Sequence, residues 1–221
     1  MARVGTWEPP IRLSETTRVY FERMAKVSST ADAARFRAVL DPAHVMESSR
    51  YFRDHDPAHY ATLRTTLAPT ILNGGFRFNV IPSEAEATLD VRLLPDEDLE
   101  KLLVEVRRVI NDPTVEVSVP TQNGRPPAPA SRLESEMFRS IEAVGRRMYN
   151  APTIPSMLTA ATDNAQLRAK GVQAYGIGQI VTATEGPVGT AHSDDETISV
   201  RALMGLIEFL WNTVIEVAAT R

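Results

Sequence analysis

Asn73-Gly74-Gly75-Phe76-Arg77-Phe78-Asn79-Val80-Ile81-Pro82-Ser83-Glu84-Ala85-Glu86-Ala87-Thr88-Leu89-Asp90-Val91-Arg92-Leu93-Leu94-Pro95 is the most regular stretch of this 221-residue chain. The Asn-Gly-Gly run marks a turn, because these residues accept backbone angles that others resist. Residues 76–80 alternate apolar and polar side chains and predict a short strand, which Ile81-Pro82-Ser83 breaks. Residues 84–93 alternate again and place Ala85, Ala87, Leu89 and Val91 on one face. Upstream, residues 63–72 are rich in threonine and aliphatic side chains and read as another strand. Downstream, Pro95-Asp96-Glu97-Asp98 opens a helix over 99–110 whose first turn is acidic, where the helix dipole favours negative charge. Asp112-Pro113 stops it, and Val115, Val117 and Val119 alternate as a last strand. The order strand, strand, strand, helix, strand predicts a four-stranded antiparallel sheet with helices on one face.

The flanks read differently. Before the sheet, residues 13–25 carry Val19, Tyr20 and Met24 at helical spacing behind Ser14 as N-cap, and 32–40 form a second short helix. Residues 42–60 are polar, with mixed helix and loop signals. After the sheet, the proline-rich stretch 121–131 is the best domain boundary in the chain. Beyond it lie a helix over 134–149, an extended piece over 152–159, and a helix over 163–170 closed by Gly171. A buried-looking strand over 172–177 and a long helix over 199–219 complete the chain. The fold class is therefore α/β, with an α+β first part over 1–124 and an α/β layer over 125–221.

Composition excludes several functions. The net charge is -4 and no basic tract stands out, which argues against nucleic acid as a partner. No apolar run reaches the roughly 20 residues that span a bilayer. The longest candidate, 203–219, is interrupted by Glu208, Asn212 and Glu216 and reads as an amphipathic helix, so no membrane partner is expected. Cysteine is absent, so any metal must be held by histidine and carboxylates. Residues 1–10 have no apolar core of signal-peptide type, which leaves the cytoplasm as the default location.

Few residues offer chemistry. His55 and His59 stand four apart with Asp54 and Asp56 beside them, a spacing suited to a metal clamp on a helix. Pro57 interrupts that helix, and a solvated surface is the favoured reading. His192 lies in Gly189-Thr190-Ala191-His192-Ser193-Asp194-Asp195-Glu196, ahead of the last helix, where it serves either as a cap or as a metal ligand. On their own, Asn79 reads as a turn residue, Arg92 as half of a strand-edge ion pair and Asp163 as a helix cap.

Three groups of motifs, in order along the chain, change that balance. Ala191-His192-Ser193-Asp194-Asp195-Glu196 before a long apolar helix resembles the C-terminal signature of the aminoacylase, acetylornithine deacetylase and carboxypeptidase G family of zinc-dependent peptidases and amidohydrolases. Thr162-Asp163-Asn164-Ala165 and Lys170-Gly171-Val172-Gln173-Ala174-Tyr175-Gly176-Ile177-Gly178 are similar to the stretch just upstream of it. Asn73-Gly74-Gly75, Asn79-Val80-Ile81-Pro82 and Asp90-Val91-Arg92-Leu93-Leu94-Pro95 resemble the family's lid, or dimerisation, domain. The resemblance implies that 1–124 is a lid domain cut short at its N-terminus and that 125–221 is the C-terminal portion of the catalytic domain. It implies His192 as a metal ligand, with Asn79, Arg92, Thr162 and Asp163 against substrate. It further implies two zinc ions in the complete enzyme, with cobalt or manganese as alternatives. The substrate class is a small peptide or an N-acyl amino acid, and the assembly a homodimer formed through the lid.

The rest of the family's metal set has no counterpart upstream of His192. No early His-x-Asp and no Glu-Glu pair is present, and the first Glu of that pair is the family's general base. A catalytic zinc normally takes three protein ligands and a water. The expectation is a portion of a metallohydrolase that is inactive by itself and lacks the N-terminal half of its catalytic domain. The alternative is a non-catalytic dimerisation or binding module derived from that family.

Overall fold

The computed structural model describes residues 1–120, 128–178 and 193–219. The chain forms two compact units, one from Met1–Ala130 and Pro155–Val172, the other from Ser131–Ile154 and Gln173–Arg221. Part of the proline-rich boundary, 121–127, lies outside the described residues.

The first unit begins with a short α1 (Ala2–Gly5) and a helical cluster of α2 (Glu15–Val27), α3 (Thr30–Leu40), α4 (Val45–His55) and α5 (Pro57–Thr62). Three of these start on a side-chain oxygen that satisfies an orphan N–H. Ser14 accepts from Thr17, Ser29 from Asp32, and Asp56 from His59. The ambiguous stretch 42–60 resolves into two helices because Pro57 starts one instead of breaking it. Proline's missing N–H is not needed in a first turn. Phe21 and Ala25 of α2, Phe36 and Val39 of α3, Phe52 of α4, and Leu63 close into one core. The rings of Phe21, Phe36 and Phe52 lie 5.7, 6.1 and 6.2 Å apart. Burying each is worth about 1.5–3 kcal/mol.

The chain leaves this cluster through Leu63-Arg64-Thr65, all buried. Leu63 fills the aromatic core, whereas Arg64, 3% exposed, reaches toward the N-terminal segment. Its guanidinium donates to the Glu8 carboxylate at 3.1 Å, the Pro9 carbonyl at 3.2 Å and the Ser49 hydroxyl at 2.7 Å. It also lies 4.8 Å above the Tyr60 ring. The Thr65 hydroxyl donates to Glu97 and accepts from the Leu94 N–H.

Beyond this joint, β1 (Thr66–Gly74) pairs antiparallel with β2 (Ala85–Arg92), from Thr66 opposite Arg92 to Gly74 opposite Ala85. Pro69 has no N–H for the ladder, and the register shifts between it and Ile71. On β2, Ala87 and Leu89 are half-buried, while Glu86, Thr88, Asp90 and Arg92 face solvent. Asp98 caps α6 (Leu99–Ile110), the span expected from sequence, and Asn111 ends it in the left-handed region. The sixth and last helices of this unit are thus α6 and α8 (Asn164–Ala169), the latter followed by Gly171 at φ 84°.

The sheet has two strands among the described residues, not four. Residues 76–80 form part of a loop that Gly75 opens at φ 75° and in which the Val80 N–H reaches the Arg77 carbonyl. Residues 115–119 run without a ladder, with the Val115 N–H on the Asp112 carbonyl and Arg107 donating to the Val117 carbonyl. Alternation makes a segment competent to be a strand, but pairing needs a neighbour of matching register.

In the second unit, α7 (Glu136–Tyr149) packs Ile141 and Val144 against Phe209 of α9 (Val200–Ala218). Residues 173–177 form no strand, although Tyr175 and Ile177 pack on this small core. Helix α9 buries Ala202, Phe209 and Thr213 and leaves Leu203, Ile207, Leu210, Trp211 and Val214 exposed. No described helix is long and apolar enough to cross a membrane.

The Arg64 joint yields two predictions. Arg64→Met should cost about 2–4 kcal/mol in urea unfolding at neutral pH, because it removes the donor to Ser49 and to the Pro9 carbonyl and one of the partners of Glu8. Burial alone would push the Glu8 carboxyl up, but hydrogen bonds from Arg53 and Tyr60 and the Arg64 charge outweigh it and leave it lowered. A carboxyl lowered by folding adds stability above its ordinary pKa, and that stability is lost as pH falls through the folded value. Glu8→Gln should therefore be less stable than wild type near pH 7, with the gap closing below about pH 4.

Candidate functional site

Asn79, Arg92, Thr162 and Asp163 all belong to the first unit. Asn79 lies in the loop 75–84, exposed, between side chains that are also exposed. Phe76, Phe78 and Ile81 have relative exposures of 81%, 105% and 94%. Arg92 ends β2, at the opposite end of the ladder from that loop. The intervening ladder measures about 23 Å at roughly 3.3 Å per residue. The ribbon therefore does not bring Asn79 and Arg92 together.

Arg92 is held by its own strand. Its Nε donates to Asp90 Oδ2 at 2.7 Å, and both side chains are about half exposed, at 48% and 46%. Residues two apart on a strand share a face, which is why this pair forms. The strand-edge ion pair is thus present, and among the described residues it engages the guanidinium through Nε alone. The Asp90 partner was legible in the two-residue spacing but was not singled out from sequence.

Thr162 and Asp163 lead into α8. The Thr162 carbonyl accepts from the Ala165 N–H at 3.3 Å and the Asp163 carbonyl from the Gln166 N–H at 3.0 Å. Asp163 occupies the N-cap position, yet its side chain makes no capping hydrogen bond. Both side chains are exposed. His192 lies outside the described residues.

His55 and His59 do not converge. His55 ends α4, stacks on Tyr51 at 4.4 Å and bonds the Tyr51 carbonyl through Nδ1. His59 lies in α5, only 18% exposed, with its ring 5.2 Å from both Phe36 and Phe52. Its Nδ1 pairs with Asp56 and its Nε2 with the Tyr20 hydroxyl at 2.8 Å. Burial, and then the Asp56 carboxylate, pushes the Tyr20 phenol up. With both ring nitrogens engaged, His59 is a core residue, contrary to its expected solvated setting. Among the described residues, no group of three or more histidines and acids could hold a metal ion. The zinc implied by resemblance therefore does not fit the described residues, and His192 remains the sole ligand suggested.

The contrast between the two histidines is testable. His59→Ala should cost about 2–4 kcal/mol, through lost packing and an orphaned Tyr20 hydroxyl. His55→Ala should cost less than about 1 kcal/mol. Urea midpoints of the two variants check this.

Comparison with known proteins agrees with the motifs. The model of a peptidase dimerisation domain matches residues 21–118. A probable carboxypeptidase S-like 2 of Dictyostelium discoideum is 28% identical over 159 residues, covering 72% of this chain and 30% of that protein. An N-fatty-acyl-amino acid synthase/hydrolase of Xenopus tropicalis is 30% identical over 155 residues, covering 69% of this chain and 30% of its own length. Aminoacylase-1 of Mus musculus is 26% identical over 113 residues, 51% of this chain and 28% of that protein. The chain thus spans less than a third of the length of these relatives. No solved structure matches.

Proposed function

Because the chain belongs to the aminoacylase and carboxypeptidase family of zinc-dependent peptidases and amidohydrolases, we propose that it supplies the substrate-gripping portion of a hydrolase that cleaves an amide or peptide bond next to a carboxylate. The observation that carries this reading is Arg92, a strand-mounted guanidinium engaged through Nε alone among the described residues, in the segment whose motif resembles the family's lid. A planar fork of N–H donors suits a carboxylate better than a point charge does. Residues 1–124 act as the lid, and 125–221 as the end of the catalytic domain. Two copies associate through the lid.

Asn79 donates its side-chain amide to an oxygen of the substrate or of the developing oxyanion. Because a ladder length separates its loop from Arg92, one small substrate meets both only if the loop folds back along the ribbon or the two residues come from different copies. The apolar residues around Asn79 support a substrate with an apolar acyl group or side chain. Thr162 and Asp163 present backbone and side-chain groups to the same substrate. Two ions, zinc by family and cobalt or manganese by the same ligand chemistry, belong to a site that His192 completes and that residues beyond this chain supply. A metal held there would supply Lewis-acid chemistry for the hydrolysis. The residues of this chain bind and orient.

The test is to purify the chain, measure its zinc, and assay hydrolysis of N-acetyl amino acids and dipeptides. Less than one zinc per chain and no turnover are expected. Activity should appear once a polypeptide bearing the His-x-Asp and Glu-Glu elements is joined to it. In that active form, Arg92→Ala should raise KM about 10- to 100-fold with little change in kcat. Stoichiometric zinc and turnover by the chain alone would overturn the proposal. The dimerisation-domain match favours one second reading, a non-catalytic dimerisation module. A dimer that gains no activity on joining would establish that reading.

A further inference from the structure

The ion pair on β2 has a geometry that a mere surface contact does not require. Asp90 meets Arg92 through Nε alone, in a single bond of 2.7 Å. Among the described residues, the two Nη groups of Arg92 have no protein partner. Across the ladder, Arg92 faces Thr66 and Asp90 faces Ala68, both short side chains on the same face of the ribbon. The stem side of the fork is therefore tied down, while the end-on edge, formed by Nη1 and Nη2, is left without a protein partner among the described residues.

We infer that Asp90 is a positioning residue that orients Arg92 so that its Nη edge, and not its Nε edge, receives the substrate carboxylate. This rests on the reading of Arg92 as the carboxylate-binding residue. Arginine can take a carboxylate side-on, through Nε and one Nη, or end-on, through both Nη groups. Occupying Nε with Asp90 removes the first mode and leaves the second. The arrangement also lowers the cost of binding, because a side chain already held need not be immobilised when the ligand arrives. Two effects of Asp90 oppose each other. Its orientation of Arg92 favours the ligand, whereas its negative charge repels it. Deleting Asp90 changes both together, so a single alanine variant cannot separate them.

The pair Asp90→Asn and Asp90→Ala does separate them, since each removes the charge but only asparagine keeps an oxygen for the Arg92 Nε–H. The experiment titrates N-acetylglycine into the 15N-labelled chain at low salt and follows the Arg92 Nε–Hε signal. Wild type, both Asp90 variants and Arg92→Lys are compared, each first checked for an intact backbone spectrum. The expected result is saturable binding by wild type, affinity in Asp90→Asn about 3- to 10-fold tighter than in Asp90→Ala, and loss of binding in Arg92→Lys. In Asp90→Asn, the Arg92 Nε–Hε signal should stay sharp and protected from exchange, and in Asp90→Ala it should not. Equal affinity and equal Nε–Hε behaviour in the two Asp90 variants would overturn the positioning role while leaving Arg92 as the carboxylate site. Absence of saturable binding by wild type, or unchanged binding in Arg92→Lys, would overturn the carboxylate reading itself.

Discussion

Burying a guanidinium is costly unless its donors are answered, and at Arg64 the answers to the Nη groups and the planar face come from three separate places in the chain, while Nε has no hydrogen-bond partner among the described residues. Glu8 and Pro9 belong to the N-terminal segment, Ser49 to α4, and Tyr60 to α5. Because Arg64 is flanked by Leu63 in the aromatic core and Thr65 at the mouth of the ribbon, satisfying it fixes where the helical cluster stops and β1 begins. A neighbouring arginine works from the other side. The Arg12 N–H donates to the Leu63 carbonyl, while its guanidinium reaches the Pro95 carbonyl and Glu97. Glu97 in turn accepts from Thr65. The ribbon thus enters and leaves through one polar clasp, although most of its own length is exposed and adds little burial. A two-stranded ribbon has marginal stability by itself, so its geometry is inherited from this clasp.

What could be read from sequence follows from how local its cause is. The cap at Asp98, the acidic first turn and the stop at Asn111 all lie within a few residues of α6, and the helix observed is the helix expected. Ser14 and Ser199 start α2 and α9 for the same reason. Strands depend on partners distant in sequence. Ala85 to Arg92 found one in β1, whereas 76–80 and 115–119 carry the same alternation without one. At 55–59 the error was of a different kind. Pro57 does interrupt the helix, as expected, but with Asp56 it starts a new one that turns His59 inward toward Tyr20 instead of into solvent.

The candidate site was legible as a set of positions, not as an arrangement. Family-like motifs identify Asn79, Arg92, Thr162 and Asp163, and nothing in their sequence spacing reveals that the ribbon holds the first two at opposite ends. Asp90 and Arg92 are the reverse case. Their contact follows from the pleat alone, needs no tertiary information, and was available in the string Asp-Val-Arg from the start.

The two tryptophans of the chain fall one to each compact unit, Trp7 in the first and Trp211 in the second. Trp211 stands on the bare side of α9, with two-thirds of its surface in water at a relative exposure of 67%. Indole fluorescence shifts to shorter wavelength and brightens when water is withdrawn. With Trp7 replaced, the emission of α9 becomes an optical gauge, built into the polypeptide, of whether that face is wet or covered.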